Sequence, residues 1–120
     1  ETVDSLVDKW PTVMNNYVTR TMAGYEVFSR PLGKVTERDL AVAKARLHEF
    51  EYSFMTDETL IDQLAEALGW DCSDAVGRES SAAGGSKALL GRLKKRWGRA
   101  DWQRVLDLNA LDLELFQEAR

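Results

Sequence analysis

The sequence predicts a mainly helical chain with one short strand. Three observations lead there. Apolar residues recur at the helical period over most of the length, and helix-starting and helix-stopping residues bracket those runs. Only one short stretch, near residues 51–55, has the aromatic density of a buried strand. The segment Thr36 to Trp70 shows all three features: a capped helix, the strand, a second capped helix and a glycine stop.

In order along the chain, Thr2–Asp8 opens with Val3, Leu6, Val7 and Trp10 near helical spacing. Pro11 suits the first turn of a helix expected from about Thr12 to Ala23, striped by Val13, Met14, Tyr17, Val18 and Met22 and stopped by Gly24. Tyr25–Lys34, with Pro31 and Gly33, reads as a loop. Thr36 serves as an N-cap, with Glu37 and Asp39 in the first turn where the helix dipole favours acid. Leu40, Ala43, Leu47 and Phe50 carry that helix to about Phe50. Tyr52–Met55 is the strand, and Thr56 caps a helix faced by Leu60, Ile61, Leu64 and Leu68 and ended by Gly69. A lone strand needs partners, and no second one is visible.

Asp71–Ser86 carries Gly77, Gly84, Gly85 and four serines, a composition that predicts a flexible loop over 71–86. A helical tail follows over 87–120. Leu89, Leu90, Leu93 and Trp97 lie on one helix face, with Arg92, Lys95, Arg96 and Arg99 on another. Lys87 to Arg104 holds seven basic residues against one acid, Asp101, a local charge of +6 in a chain of net charge −4. A last helix is capped by Asn109, with Asp112 three residues on, and faced by Leu111, Leu115, Phe116 and Ala119.

At 120 residues the chain reads as one domain, or part of one. Because it begins with Glu1 rather than Met, the expectation is a portion of something longer. The negative net charge argues against a nucleic-acid binder. Cys72 is the only cysteine, which excludes an internal disulfide and a zinc site built from thiolates. No apolar run reaches the roughly 18 residues of a membrane span.

No complete catalytic constellation is legible. His48, the single histidine, lies inside a predicted helix and reads as structural rather than as a general base. The carboxylates fall in first turns and on helix surfaces, where capping and solvation account for them. Cys72 has no basic neighbour to activate it. Gly84-Gly85-Ser86-Lys87 precedes a predicted helix, so its N–H groups and the lysine could hold a phosphate; a loop without a ligand explains the same residues. The basic face that follows suits an anionic nucleotide, an acidic glycan or a membrane surface, and equally a solvated face. Asn15-Asn16-Tyr17-x-x-Arg20 offers amide, phenol and guanidinium groups fit for sugar hydroxyls and anions, or for a buried network joining two helices.

Three patterns in order resemble the C-terminal part of the carbohydrate sulfotransferases, the Golgi-type family that uses 3′-phosphoadenosine 5′-phosphosulfate (PAPS). Asn16-Tyr17-x-x-Arg20-x-x-x-Gly24 is similar to that family's Asn-Tyr-x-x-Arg-x-Leu-x-Gly segment. Ala43, Leu47 and Phe50, then an aromatic stretch, an acidic helix start and Leu68-Gly69-Trp70, resemble its next block. Asn109-x-x-Asp112-x-x-Leu115-Phe116-x-x-Ala119 resembles its closing Asn-x-x-Asp-x-x-Leu-Tyr-x-x-Ala, with Phe116 in place of the usual tyrosine.

The resemblance implies that the chain is the helical C-terminal portion of an α/β P-loop-like sulfotransferase fold, its Thr36–Trp70 segment returning to a sheet begun upstream. It implies transfer of a sulfuryl group from PAPS to a hydroxyl of a glycan or similar acceptor, in the Golgi lumen, without a metal. The family's donor loop, catalytic base and 3′-phosphate ligands lie upstream of the matched region, so the chain is not expected to act alone. By position, Ser86 and Lys87 correspond to a late loop over the nucleotide, and Asn16, Tyr17 and Arg20 to the acceptor side. The alternative is a non-catalytic sulfotransferase-like helical module that binds partner proteins in an assembly. A third possibility is a free-standing basic-faced helical domain that binds anions or membranes.

Overall fold

A computed structural model describes residues 1–56, 59–71 and 76–120, with the backbone alone for 76–86. Among the described residues there are seven helices and no strand, which agrees with the mainly helical expectation. They are α1 (Val3–Lys9), α2 (Tyr17–Ala23), α3 (Tyr25–Phe28), α4 (Glu37–Leu47), α5 (Leu60–Leu68), α6 (Val76–Leu108) and α7 (Ala110–Ala119). Residues 1–51 together with 97–120 make one compact unit, and 52–96 make another.

The first unit is organised around α2, α4 and α7. Its core is small: Ala23 and Val27 meet Leu40 and Ala43 of α4 and Leu115 of α7, with Met22, Val35, Leu47 and Leu111 packed around them. Leu40, Ala43 and Leu47 are the apolar stripe expected of α4, and they face this core because their spacing puts them on one side. Thr36 caps α4 through a full capping box, its hydroxyl accepting from the Asp39 N–H while the Asp39 carboxylate accepts from the Thr36 N–H. The helix ends at Leu47, three residues before the expected Phe50, which is left exposed.

Two local readings change at the N-terminal end. The second helix begins at Tyr17 rather than near Thr12, because Asn16 sits in the left-handed region (φ 49°) and breaks any continuous helix there. The segment read as a loop from Tyr25 holds one helical turn, α3, set off by Gly24 at φ 115°. A Cβ on Gly24 would lie 3.1 Å from Arg46 Nη1, and its φ is one that residues with a side chain rarely adopt. Gly24→Ala is therefore expected to destabilise the unit by roughly 1–3 kcal/mol, read as a lower midpoint in urea. An unchanged midpoint would show that the α2–α3 joint relaxes freely.

In the second unit the strand expected near 51–55 does not form. Residues 52–56 carry no regular structure, and among the described residues no other strand is present to pair with them. A strand exists only through its ladder of inter-strand hydrogen bonds, so β-like composition without a partner leaves extended chain. Tyr52 and Phe54 instead stack on each other, centroids 6.1 Å apart. The Gln63 side chain accepts from the Met55 N–H at 2.8 Å and donates to its carbonyl at 3.2 Å, an amide standing in for a neighbouring strand. α5 starts at Thr59–Leu60 rather than at Thr56, and Asp57 and Glu58 lie outside the described residues. Gly69 ends it in the left-handed conformation (φ 66°), as expected.

The expected 71–86 loop is largely replaced by helix. α6 begins at Val76, while residues 72–75, including Cys72, lie outside the described set. The three glycines Gly77, Gly84 and Gly85 cost a helix only about 1 kcal/mol each, and Arg78, Glu79, Ala82 and Ala83 are adequate helix formers around them. The break comes later, at Gly98, whose φ of 73° and ψ of 177° interrupt the helix.

Candidate functional site

The densest polar assembly of the first unit lies where the N-termini of α2 and α7 meet. Each terminus leaves backbone N–H groups without intrahelical acceptors. Each is satisfied by a side chain from the other helix's first turn or cap, not by its own. The Asn16 amide oxygen accepts from the N–H groups of Leu111 (3.0 Å) and Asp112 (3.1 Å) at the start of α7. In return, the Asp112 carboxylate accepts from the N–H groups of Val18 (3.0 Å) and Thr19 (2.7 Å) and from the Thr19 hydroxyl (2.7 Å). Asn109 closes the clasp: its amide oxygen accepts from the Asn16 N–H, and its nitrogen donates to the carbonyls of Met14 and Val105. The one carboxylate lies at the positive end of both helix dipoles, which favours its charge.

Arg20 extends the assembly inward and is fully buried, at 0% exposure. All three guanidinium nitrogens donate to protein oxygens. Nε reaches the Asn15 carbonyl (2.7 Å), Nη1 the carbonyls of Phe28 (3.1 Å) and Arg30 (2.6 Å), and Nη2 the Asn15 side chain (2.9 Å) and the Pro31 carbonyl (3.2 Å). Asn15 in turn accepts from the Gly33 N–H and donates to the Leu108 carbonyl. One cation thus gathers the carbonyls of Val27, Phe28, Arg30 and Pro31, of which Val27 and Pro31 also accept from the Arg30 and Lys34 N–H groups. Burial first, then the nearby Arg30 cation, pull the Arg20 pKa below the ordinary guanidinium value, while Asp112 works the other way.

This geometry corrects the acceptor-side expectation for Asn16 and Arg20. The Arg20 guanidinium and the Asn16 amide oxygen are taken up by the protein, and Arg20 does not reach solvent, while Asn16 borders the open cavity beside the clasp. Tyr17 differs. Its ring packs edge-to-face on Phe28, centroids 5.9 Å apart, yet it stays 43% exposed. The phosphate cradle expected at Ser86 and Lys87 has lost its premise, because residues 84–87 lie within α6 rather than ahead of a helix. The Ser86 side chain lies outside the described set, and Lys87 is exposed. His48 lies on the surface, its Nε2 3.0 Å from Glu118 Oε1, and with Lys44–Glu114 (2.6 Å) it ties α4 to α7. The His48 hydrogen bond holds the Glu118 carboxyl below its ordinary value against a small opposing cost of desolvation.

An open cavity of about 530 Å³ adjoins the clasp, with Asn15, Asn16, Thr36, Glu37, Arg104 and Asp107 among its lining residues. Its rim mixes both charge signs, and Arg104 is already paired with Asp4, so it selects no charge on a ligand. Among the described residues no three His, Cys, Asp or Glu side chains gather as a metal site.

The buried Asp39 gives the unit a pH dependence. Burial works to raise its pKa, but the Thr36 N–H, the Thr36 hydroxyl and the Arg30 guanidinium together hold it below the ordinary carboxylate value. A carboxyl depressed in the folded state contributes stability that is complete above its unfolded pKa, about 3.9, and that is lost as pH falls through the folded value. Asp39→Asn is thus expected to flatten the decline of the urea midpoint below about pH 4. Parallel acid limbs for the two proteins would assign that decline to other carboxylates.

Sequence reasoning isolated Asn15, Asn16 and Arg20 as a polar group and Asn109 and Asp112 as a cap. It allowed a buried network joining two helices, but it did not name Asn109 and Asp112 as the partners and gave Thr19 no role in it. The only local signal was a pair of asparagines ahead of a helix with no conventional cap of its own. Comparison of the chain with protein-family models, with curated proteins and with solved structures yields no match.

Proposed function

We propose that this chain is the C-terminal helical portion of a PAPS-dependent carbohydrate sulfotransferase. In that role it shapes the acceptor side of a catalytic unit that moves a sulfuryl group from PAPS to a glycan hydroxyl. The donor loop and catalytic base come from the rest of the parent protein. One observation carries the reading. Two residues on which the family resemblance rests hold the two ends of the chain together: Asn16 bonds the start of α7, and Asp112 bonds the start of α2. Ala43 and Leu115, from two further motif positions, share the core. Tyr17, with its ring at the surface, is the acceptor contact of choice within this unit, and PAPS is the donor by resemblance.

The test is transfer of labelled sulfuryl from PAPS to a panel of glycans by the intact parent protein, with binding of 3′-phosphoadenosine 5′-phosphate measured by calorimetry. The parent is expected to bind the nucleotide and to label at least one acceptor, and the 120-residue chain alone to do neither. A parent that neither binds nor transfers ends the enzyme reading. It would favour the second reading, a non-catalytic module that binds partner proteins, to which the 85% exposed Tyr25 and the exposed Trp10 and Val18 lend support as uncovered apolar surface.

A further inference from the structure

We propose that the Lys87–Arg96 stretch of α6 docks on an anionic lipid surface. The ten residues, KALLGRLKKR, hold five cations and no acid. At 100° per residue, Leu89, Leu90 and Leu93 fall in one sector about 100° wide, with Arg92 and Arg96 on one flank and Lys94 on the other. The two leading leucines are half uncovered, Leu89 at 50% and Leu90 at 48% exposure, and a Cβ on Gly91 between them and Arg92 would meet open space. Arg92, Lys95 and Arg96 are exposed as well.

A narrow apolar stripe bordered on both sides by long cationic side chains is the pattern of a helix that lies in a membrane interface. The leucines enter the acyl boundary and the cations reach the headgroups. The rest of the composition selects this occupant over others. A sulfated polysaccharide would satisfy the cations but leave the leucines in water. A protein groove is gripped chiefly by aromatic and Met anchors and is poor in Lys, yet the stretch has no Tyr, Trp, Phe or Met and holds three lysines. What remains is charge with apolar area, and an anionic bilayer surface supplies both. The attraction comes from a local excess of cations in a protein whose net charge is −4, so it is short-ranged and sensitive to salt. This docking does not depend on the sulfotransferase reading.

The experiment is co-sedimentation of the chain with vesicles of phosphatidylcholine alone and of phosphatidylcholine mixed with phosphatidylserine, at low and high salt. Binding is expected only to the mixed vesicles, and it should fall at high salt. Arg92→Gln and Arg96→Gln, on the flank of the leucine stripe, should each weaken it about five-fold. Leu89→Ser with Leu90→Ser should weaken it at least about ten-fold. Circular dichroism of each variant checks that the helix content is kept, and the charge variants test the proposal should the leucine variant unfold. Equal binding to both vesicle types overturns the proposal, as does no binding to either. A folded leucine variant that binds like the parent also overturns it, because the site would then be a polyanion site without insertion.

Discussion

Arg20→Ala is expected to lower the stability of the first unit by roughly 3–5 kcal/mol, the largest effect of any single substitution in this chain. The side chain is fully buried, and its removal takes their guanidinium donor from the carbonyls of Asn15, Phe28, Arg30 and Pro31, of which Pro31 keeps the Lys34 N–H. Each orphaned buried acceptor carries a desolvation cost of about 1–3 kcal/mol, which is why truncating one residue removes more than one contact. Arg20→Lys should recover only a part of the loss. An ammonium is a point donor on a flexible stem and cannot reproduce the planar fork that serves Nε, Nη1 and Nη2 at once. The exposed Arg38 is the control, and Arg38→Ala should stay within about 0.5 kcal/mol of the parent. Urea titration followed by tryptophan fluorescence gives the comparison. Similar midpoints for Arg20→Ala and Arg38→Ala would sink the view that Arg20 holds the fold rather than a ligand.

Asp112→Ala is expected to cost roughly 2–4 kcal/mol, the second largest effect, because one carboxylate caps a helix on another element through three hydrogen bonds. Asp112→Asn should lose less, since one amide oxygen remains to accept while the charge at the helix N-terminus is gone. The coupling to Thr19 is measurable on its own. Thr19→Val keeps the shape of the side chain and deletes the hydroxyl that donates to Asp112 at 2.7 Å, so the double-mutant cycle should show a coupling of about 1 kcal/mol. Strict additivity would mean that the hydroxyl and the carboxylate do not act together. Asn16→Ala tests the reciprocal half of the clasp. Its loss should lower stability by about 1–2 kcal/mol, and combined with Asp112→Ala it should fall short of the sum. Hydrogen exchange at Val18, Thr19, Leu111 and Asp112 would locate the loosening at the two helix starts.

These expectations bear on function, since they turn the sequence's most suggestive polar motif into architecture. Asn-Tyr-x-x-Arg looks like a set of ligand-binding groups because amides and guanidinium are what sugars and anions bind. In the structure the same groups serve backbone N–H and C=O groups, and only Tyr17 is left facing outward. Under the sulfotransferase reading, damage at Arg20 or Asp112 would reduce activity through misplacement of the acceptor side. It would appear as lost folded protein before it appeared as an altered acceptor affinity.

What the sequence by itself determined is what depends on neighbours a few residues apart. The capping box of Thr36 and Asp39, the stripe of Leu40, Ala43 and Leu47, the stop at Gly69 and the excess of cations from Lys87 onward all act within one or two helical turns. Only the tertiary structure decided the rest. Whether Tyr52–Met55 becomes a strand depends on a partner edge, and none of the described residues supplies one. Whether the glycines after Asp71 break a helix is a matter of a few kcal/mol that the surrounding helix formers can offset. Above all, Asn16 and Asp112 stand more than ninety residues apart in the chain, and no spacing rule reaches that far. Their pairing exists because two helix starts, each with backbone donors to satisfy, meet in the same buried place, and the cost of leaving those donors unmet selects the side chains that stand there.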